Sequence, residues 1–486
     1  MAGLSLLRTG LAKNPPGWDL IVVGGGTAGI PTGLFASRRA RVLILEKGPI
    51  LGGTLDRSTG QVAAAGTVFQ AEKGIEDSPQ AHFDDIMRIN GGTSDPALTR
   101  LFVTHAGPTL NWLAGLGYAV EAEHPVTGEG HEHYRTARYQ WSARGGWPIY
   151  EAMAPLVNTA VDTGRLDVML NTSAVELIID GSGAVAGVVA ESADGRRQDL
   201  RSSRVVLASG GCASNPTLFR ELHDVPLYCQ IAHPNSQGVG ITLGQAAGGY
   251  VRGGEHYASL VGAVLAHDRH PAPMTAYSSL NATRRQPWEL LVNTDGERFV
   301  QEDHPSIDHI EHAVAAQEDH RHFVIFDAEI LAQAPPLLEG WSADKIIASC
   351  GEHPMFHEAE SLGALGGAAG IDPDGLIGSV ERYNDARQSG RPDPFARGHR
   401  PLPIVKPPYY AIEMRGWTVI SFAGIAVDDQ LRVVTGEQRP IPNLYAVGEV
   451  IGAGATSGAA YTNGMLVTPA LTFGRLLGER ILTFGA

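Results

Sequence analysis

"LIVVGGGTAGIPTGLFASRRARVLILEKG", residues 20–48, decides the fold. Leu20 to Val23 is a short β-branched run of the kind that forms a strand buried on both faces. Gly24, Gly26 and Gly29 follow in the spacing G-x-G-x-x-G. The first glycine serves a tight turn, the second lets backbone approach a pyrophosphate, and the third allows close helix packing. The helix that follows would aim its N-terminal N–H groups at phosphate. "RVLILEKG" is a second strand, and Glu46 lies 17 residues beyond Gly29, where a carboxylate can accept both hydroxyls of an adenosine ribose. An acid there disfavours a 2′-phosphate, so the ligand is FAD or NAD rather than NADP.

The chain of 486 residues is long enough for two or three domains with sizeable cores. A net charge of -15 argues against a nucleic-acid footprint or an anionic membrane surface. The 60 glycines gather in loops such as "GGG", "GGT", "SGG" and "GAG", as backbone crowding a large cofactor requires. Cys212, Cys229 and Cys350 are widely spaced and form no C-x-x-C, which gives no case for an iron-sulfur cluster, c-type haem or disulfide framework. The patch "GLSLL" near the N-terminus has neither a long apolar core nor a small-residue cleavage site, and reads as a loose arm. No run of 18 uncharged apolar residues occurs, so a soluble, cytoplasmic protein is expected.

Further along, "LDVMLNTSAVELIID", "AVAGVVAES" and "SRVVLASGG" read as strands, and "GVGITLGQAAGG" (238–249) as a helix ending in glycine. From about 256 to 405 the periodicity changes, and His, Pro and charged residues become denser. The expected organisation is a nucleotide-binding domain over 1–255 and 406–486, interrupted by a substrate domain over 256–405.

Seven stretches in this order carry a resemblance: "DLIVVGGGTAGI", "LILEKG", "STGQVAAAGT", "VVLASGGCASNP", "GITLGQAAGG", "LLVNTDGERFVQE" and "NLYAVGEVIGAGA". Over nearly its whole length the chain resembles the flavoprotein family of fumarate reductases and 3-ketosteroid Δ1-dehydrogenases. That resemblance implies an α/β fold, with a Rossmann-like FAD-binding domain of the glutathione-reductase type interrupted by an α+β cap. Substrate would lie between cap and isoalloxazine. It implies FAD contacts from Gly24, Gly26, Thr27, Ala28, Gly29, Glu46 and Lys47, and from Gly52, Gly53, Thr54, Ser58, Gly60 and Gln61. Val175, Ala208, Ser209, Gly210, Asn215, Gly448 and Glu449 complete the set, with Gly464, Met465 and Leu466 beside the flavin N1/O2 edge. The helix starting there would stabilise reduced, anionic flavin through its dipole. Relatives with covalent flavin use a His near the stretch that here reads "DRSTGQ" (56–61); none is present, so FAD is expected to be non-covalent. With no haem or cluster sequence, electrons must pass to or from an external partner.

In such flavoproteins a hydride moves between N5 and a carbon of an activated C–C or C=C bond, while the neighbouring carbon needs a protein acid or base. The substrate end departs from both known branches. Fumarate reductases place one Arg after "GE" and another four residues past the Glu of "RFxxE"; here residues 444–474 hold no Arg or Lys, and the second position is Ser306. Their paired histidines are replaced in "WTVISFAGI" (417–425). Two carboxylates buried without cations would cost several kcal/mol per ion, so dicarboxylates are disfavoured.

The steroid branch polarises a ketone with a Tyr hydroxyl and a Gly N–H, which map near Tyr461 and Gly464. Its tyrosine base is absent at Ser306, and an unassisted serine is too weak a base. His304, Tyr257 or Tyr277 could supply the base. Plainer readings stand beside these: Tyr461 as flavin packing, His304 as a loop residue, Ser306 as a helix cap. In "HEHYRTARYQWSARGGW" (131–147), His131, Glu132 and His133 hint at a metal, but no further ligand cluster answers them and none is expected. The segment reads as a pocket wall. Arg135, Arg138 or Arg144 is the best cation available for a single substrate carboxylate. "GERFVQE" (296–302) reads as a brace within the cap.

Overall fold

Four buried aliphatic residues form β1 (Leu20–Val23), which pairs in parallel with β2 (Val42–Leu45) on one side and Val205–Leu207 on the other. The computed structural model describes residues 17–483, so the apolar patch read as a loose arm lies outside the described residues. The sheet has six strands, in the order Arg432–Val434, Pro440–Ala446, Val205–Leu207, β1, β2 and Leu166–Met169. All are parallel except Arg432–Val434, the hairpin partner of Pro440–Ala446. Burial on both faces explains why the inner strands read as continuous apolar runs rather than alternating ones. A three-stranded antiparallel meander, Thr172–Ile179, Val185–Ser192 and Arg197–Arg201, branches from this layer.

Helix α1 (Gly29–Ala36) is buried along its whole length. It packs against the helix Val467–Arg480, where small residues let the backbones touch: a Cβ on Gly474 would lie 2.2 Å from the Ala28 carbonyl oxygen. The Thr32 hydroxyl reaches the Gly474 carbonyl at 3.1 Å. Segments 442 residues apart in sequence thus form one helical layer.

The second sheet is antiparallel and has its own core. Tyr409–Trp417 is its organising strand, paired with Leu260–Leu265, Arg321–Asp327 and Phe356–Ala359. The sequence reading returned the chain to the nucleotide-binding layer at 406. The structure keeps it in the cap sheet until Trp417, because "YYAIEMRGW" is buried over seven of its nine positions and fills the sheet's centre. Arg298 braces this unit as expected, bonding Glu302 at 2.7 and 2.9 Å and Asp393 at 2.8 and 3.2 Å. A small separate cluster of Ala258, Ile420, Phe422, Ala453 and Tyr461 marks where the two units meet. No helix among the described residues is long and apolar enough to cross a membrane.

Candidate active site

The predicted cofactor segments converge on the C-terminal ends of the parallel strands, where open α/β sheets bind ligands. Gly24 has φ +108°, and a Cβ there would sit 2.4 Å from the Ala208 carbonyl oxygen, which joins the fingerprint to the 208–210 turn. A Cβ on Gly53 would meet the Gly26 Cα at 2.9 Å, one on Gly448 the Ala28 Cβ at 2.8 Å, and one on Gly464 the Ala63 nitrogen at 2.5 Å. Gly26 differs from its neighbours. A Cβ there meets only the Gly53 Cα, at an ordinary 3.6 Å, so the fingerprint is open on that face.

Glu46 ends β2 with its carboxylate accepting from the Gly25 N–H at 2.8 Å and the Gly48 N–H at 2.6 Å. This fixes an anion beside the glycine turn. At the other end, Glu449 accepts from the Ser421 N–H at 2.9 Å, and burial pushes its carboxyl up to about 7. Ser58 accepts from the Gly60 N–H at 3.0 Å, shaping the turn before Gln61, while Lys47 and Thr54 are exposed. Ser209 accepts from the Gly240 N–H at 2.9 Å, and Val175 is half-buried on the meander. The Gly464 and Leu466 N–H groups make no bond among the described residues, and the helix Val467–Arg480 begins with no side-chain cap. Open donors at a helix start and an open glycine face at the fingerprint fit FAD: Gly26 would receive its pyrophosphate and Gly464–Leu466 its flavin end. Asn215 caps the helix Pro216–His223, its oxygen accepting the Leu218 N–H at 3.1 Å and its amide donating to the Gln237 carbonyl at 3.1 Å.

Beside the flavin end, Tyr461 is buried with its hydroxyl 3.2 Å from the Thr418 hydroxyl and 3.4 Å from the Ala258 carbonyl. The Thr418 proton goes to the Ile420 carbonyl at 2.9 Å, which leaves the Tyr461 proton on long, weak contacts. Burial holds its phenol far above the ordinary range, so Tyr461 keeps its proton and has it to donate. Phe422 packs edge-on against it, 5.4 Å between centroids. Tyr257 lies in an aromatic nest, stacked on His320 at 5.7 Å and edge-on to Phe219 and Phe422. Tyr277 packs edge-on against Trp417 in the cap.

Next to Tyr461 stands a group that sequence reasoning did not assemble. The His131 ring lies 5.5 Å from the Tyr461 ring. Its Nδ1 bonds Asp308 at 3.0 Å and comes within 3.7 Å of Glu311, on the helix Asp308–Ala315. Asp308 also accepts from the Glu132 N–H at 2.7 Å and the Ser306 hydroxyl at 2.9 Å. Burial opposes a charged His131, but the Glu311 and Asp308 carboxylates outweigh it and raise its basicity. Burial and the Asp308 charge raise Glu311 in turn, while hydrogen bonds from His131, Glu132 and Ser306 keep Asp308 low despite burial. The three groups are coupled: the carboxylates favour the imidazolium, and the imidazolium favours the carboxylates against burial. Their donor atoms lie within 4.8 Å of one another, yet both Asp308 oxygens are already hydrogen-bonded.

Three further expectations change. Ser306 does not cap its helix; its hydroxyl serves Asp308. His304 accepts the Ser306 N–H at 3.1 Å and stacks on exposed His309 at 4.4 Å, outside the trio. Arg138 is not a substrate cation: fully buried, it bonds Asp77 at 2.7 and 2.8 Å and Asp85 at 2.6 Å. Arg144 is exposed on Glu151, and the Arg135 side chain is 69% exposed.

A family model described as an FAD binding domain matches residues 19–464. The chain is 28% identical over 465 residues to a fumarate reductase (cytochrome) of Shewanella frigidimarina, covering 95% of this chain and 76% of that one. It is 25% identical to a 4-oxocyclohexanecarboxylate 2-dehydrogenase of Sinomonas cyclohexanicum, covering 92% of each. The structure of 3-ketosteroid Δ1-dehydrogenase from Sterolibacterium denitrificans superposes with TM-score 0.72 at 21% identity, over 96% of this chain and 99% of that one, which shows the shared fold. The chain belongs to the FAD binding domain family and is an FAD-dependent oxidoreductase.

Proposed function

We propose that the protein desaturates, or in reverse reduces, the carbon–carbon bond next to the ketone of a neutral cyclic substrate. One observation carries this reading: a buried, protonated Tyr461 with a weakly held proton, three residues before Gly464, whose N–H has no partner among the described residues. Two such donors lower the energy of an enolate. Bound FAD supplies hydride exchange with the substrate carbon one bond further from the carbonyl. Tyr461 and Gly464 hold the carbonyl oxygen, Phe422 and Tyr257 exclude water around it, and the His131 ring lies 5.5 Å from the Tyr461 ring.

An unsaturated carboxylate is the second reading, favoured by the fumarate reductase relative. It needs a cation, and Arg138 and Arg144, two of the three arginines the sequence offered, are committed to carboxylates of the protein itself, while the Arg135 side chain points largely to solvent. The absence of His from residues 56–61 supports non-covalent FAD. Three unpaired cysteines suit a reducing, cytoplasmic setting, with a separate electron carrier as partner.

Anaerobic holoprotein mixed with cyclohexanone-type ketones should lose its oxidised-flavin absorbance. Bleaching by succinate and not by ketones would reverse the assignment.

A further inference from the structure

The ketone reading leaves the proton at the α carbon unassigned. Ser306, at the position where the steroid branch has a tyrosine, only donates to Asp308. Tyr257 is walled in by Phe219, His223, His320 and Phe422. His131 is differently placed. Its loop is pinned from three sides: the Gly130 carbonyl accepts the Ile307 N–H at 3.0 Å, the Glu132 carbonyl accepts the Asn463 amide at 3.1 Å, and the Tyr134 hydroxyl bonds the Asn463 carbonyl. These bonds tie the loop to the cap helix on one side and to the Tyr461–Gly464 segment on the other. Asp308 takes Nδ1, which fixes the tautomer and orientation of the ring, and Nε2 has no partner among the described residues. A carboxylate that orients an imidazole through one nitrogen while the other stays free is the arrangement by which enzymes position a general acid–base histidine.

Resting on the ketone reading, we infer that His131, oriented by Asp308, exchanges the proton with the substrate carbon adjacent to the carbonyl. In reduction, the β carbon receives the hydride from the bound cofactor and the α carbon takes the Nε2 proton, using the enolate electron pair to form the new C–H bond. The negative charge on the carbonyl oxygen collapses back to C=O, and His131 is left neutral until solvent reprotonates it. Desaturation runs the same transfers backwards. The charged or titratable groups around the ring are Asp308 and Glu311 from the cap helix, Tyr461 from the C-terminal segment, and Glu132 of its own loop, which Arg88 holds at 2.8 Å. Glu311, raised by burial, stands 3.7 Å from Nδ1 and leaves that nitrogen to Asp308.

The test isolates the proton step. Holoprotein reduced with dithionite and incubated with cyclohexanone in D2O cannot accept a hydride, so deuterium entering the α position reports enolisation alone. The wild type should catalyse this exchange with a rate that rises with pH, its limb displaced above the ordinary histidine range. His131→Gln should lose about 10²- to 10⁴-fold of the exchange while keeping its FAD. Asp308→Asn removes a carboxylate that supports the imidazolium, so its limb should move to lower pH. Undiminished exchange in His131→Gln, or an unmoved limb in Asp308→Asn, overturns the role of His131 and leaves the ketone reading intact. No exchange in the wild type, together with no bleaching by ketones, overturns the ketone reading itself. Should His131→Gln not fold, the limb of Asp308→Asn decides.

Discussion

Replacing Gly26 with valine separates cofactor binding from folding, because this fingerprint glycine has room on its open face. Its φ is not in the left-handed region, and a Cβ meets the Gly53 Cα at 3.6 Å and nothing closer. The protein therefore tolerates the first side-chain carbon, and apoprotein stability should change by no more than about 1 kcal/mol, the usual scale of a compatible glycine replacement. The branched methyls instead occupy the groove where phosphate approaches the backbone. A hydrogen bond to a charged group contributes about 1.5–3 kcal/mol, so losing two costs about 3–6 kcal/mol. That corresponds to roughly 10²- to 10⁴-fold in Kd. Titrating deflavinated protein with FAD by fluorescence, alongside thermal melting of the same sample, reads both quantities. Gly29→Ala is the contrast, since its Cβ would lie 1.8 Å from the Gly24 carbonyl oxygen and should damage the fold itself. A Gly26→Val protein that binds FAD with wild-type affinity would refute the placement of the pyrophosphate.

Tyr461→Phe should keep fold and flavin but lose about 10²- to 10³-fold in turnover with ketones, the usual cost of one oxyanion donor in a desolvated site; steady-state kinetics checks it. Arg138→Met strands the Asp77 and Asp85 carboxylates in the core and should destabilise by about 3–5 kcal/mol, read from denaturant unfolding, with no selective rise in KM. Burial raises the Glu449 carboxyl from an ordinary 4.5 to about 7, so between these values the folded state holds more protons than the unfolded one. Apoprotein stability contributed by this group is present below that window and falls as pH rises through it. Glu449→Gln should remove that slope from the pH dependence of Tm.

The nucleotide end of the site was legible because its determinants are local. Gly24, Gly26, Gly29 and Glu46 fall within one strand–helix–strand unit, and their spacing alone dictates what backbone can approach. The substrate end is assembled across long separations. His131 and Asp308 are 177 residues apart, and nothing within "HEHY" reveals that a cap helix will supply its partner. Arg138 misled for the same reason: a lone arginine in a polar segment looks available until Asp77 and Asp85, 61 and 53 residues upstream, are seen around it. The cap boundary slipped because "YYAIEMRGW" is a strand in either unit by its composition, and only pairing assigns it.

The contact between α1 and the helix Val467–Arg480 sets an order of events during synthesis. When the ribosome has translated Trp417, every strand of the cap sheet exists, and that unit has its complete set of partners. The nucleotide-binding layer at that moment lacks Pro440–Ala446, the parallel neighbour of Val205–Leu207, and the helix that covers α1. The fingerprint helix is covered, and its turn approached by Gly448, only by residues more than four hundred positions later. Closing the groove therefore requires the helix Val467–Arg480, and a chain truncated before Val467 should keep every strand of its cap sheet while failing to retain FAD.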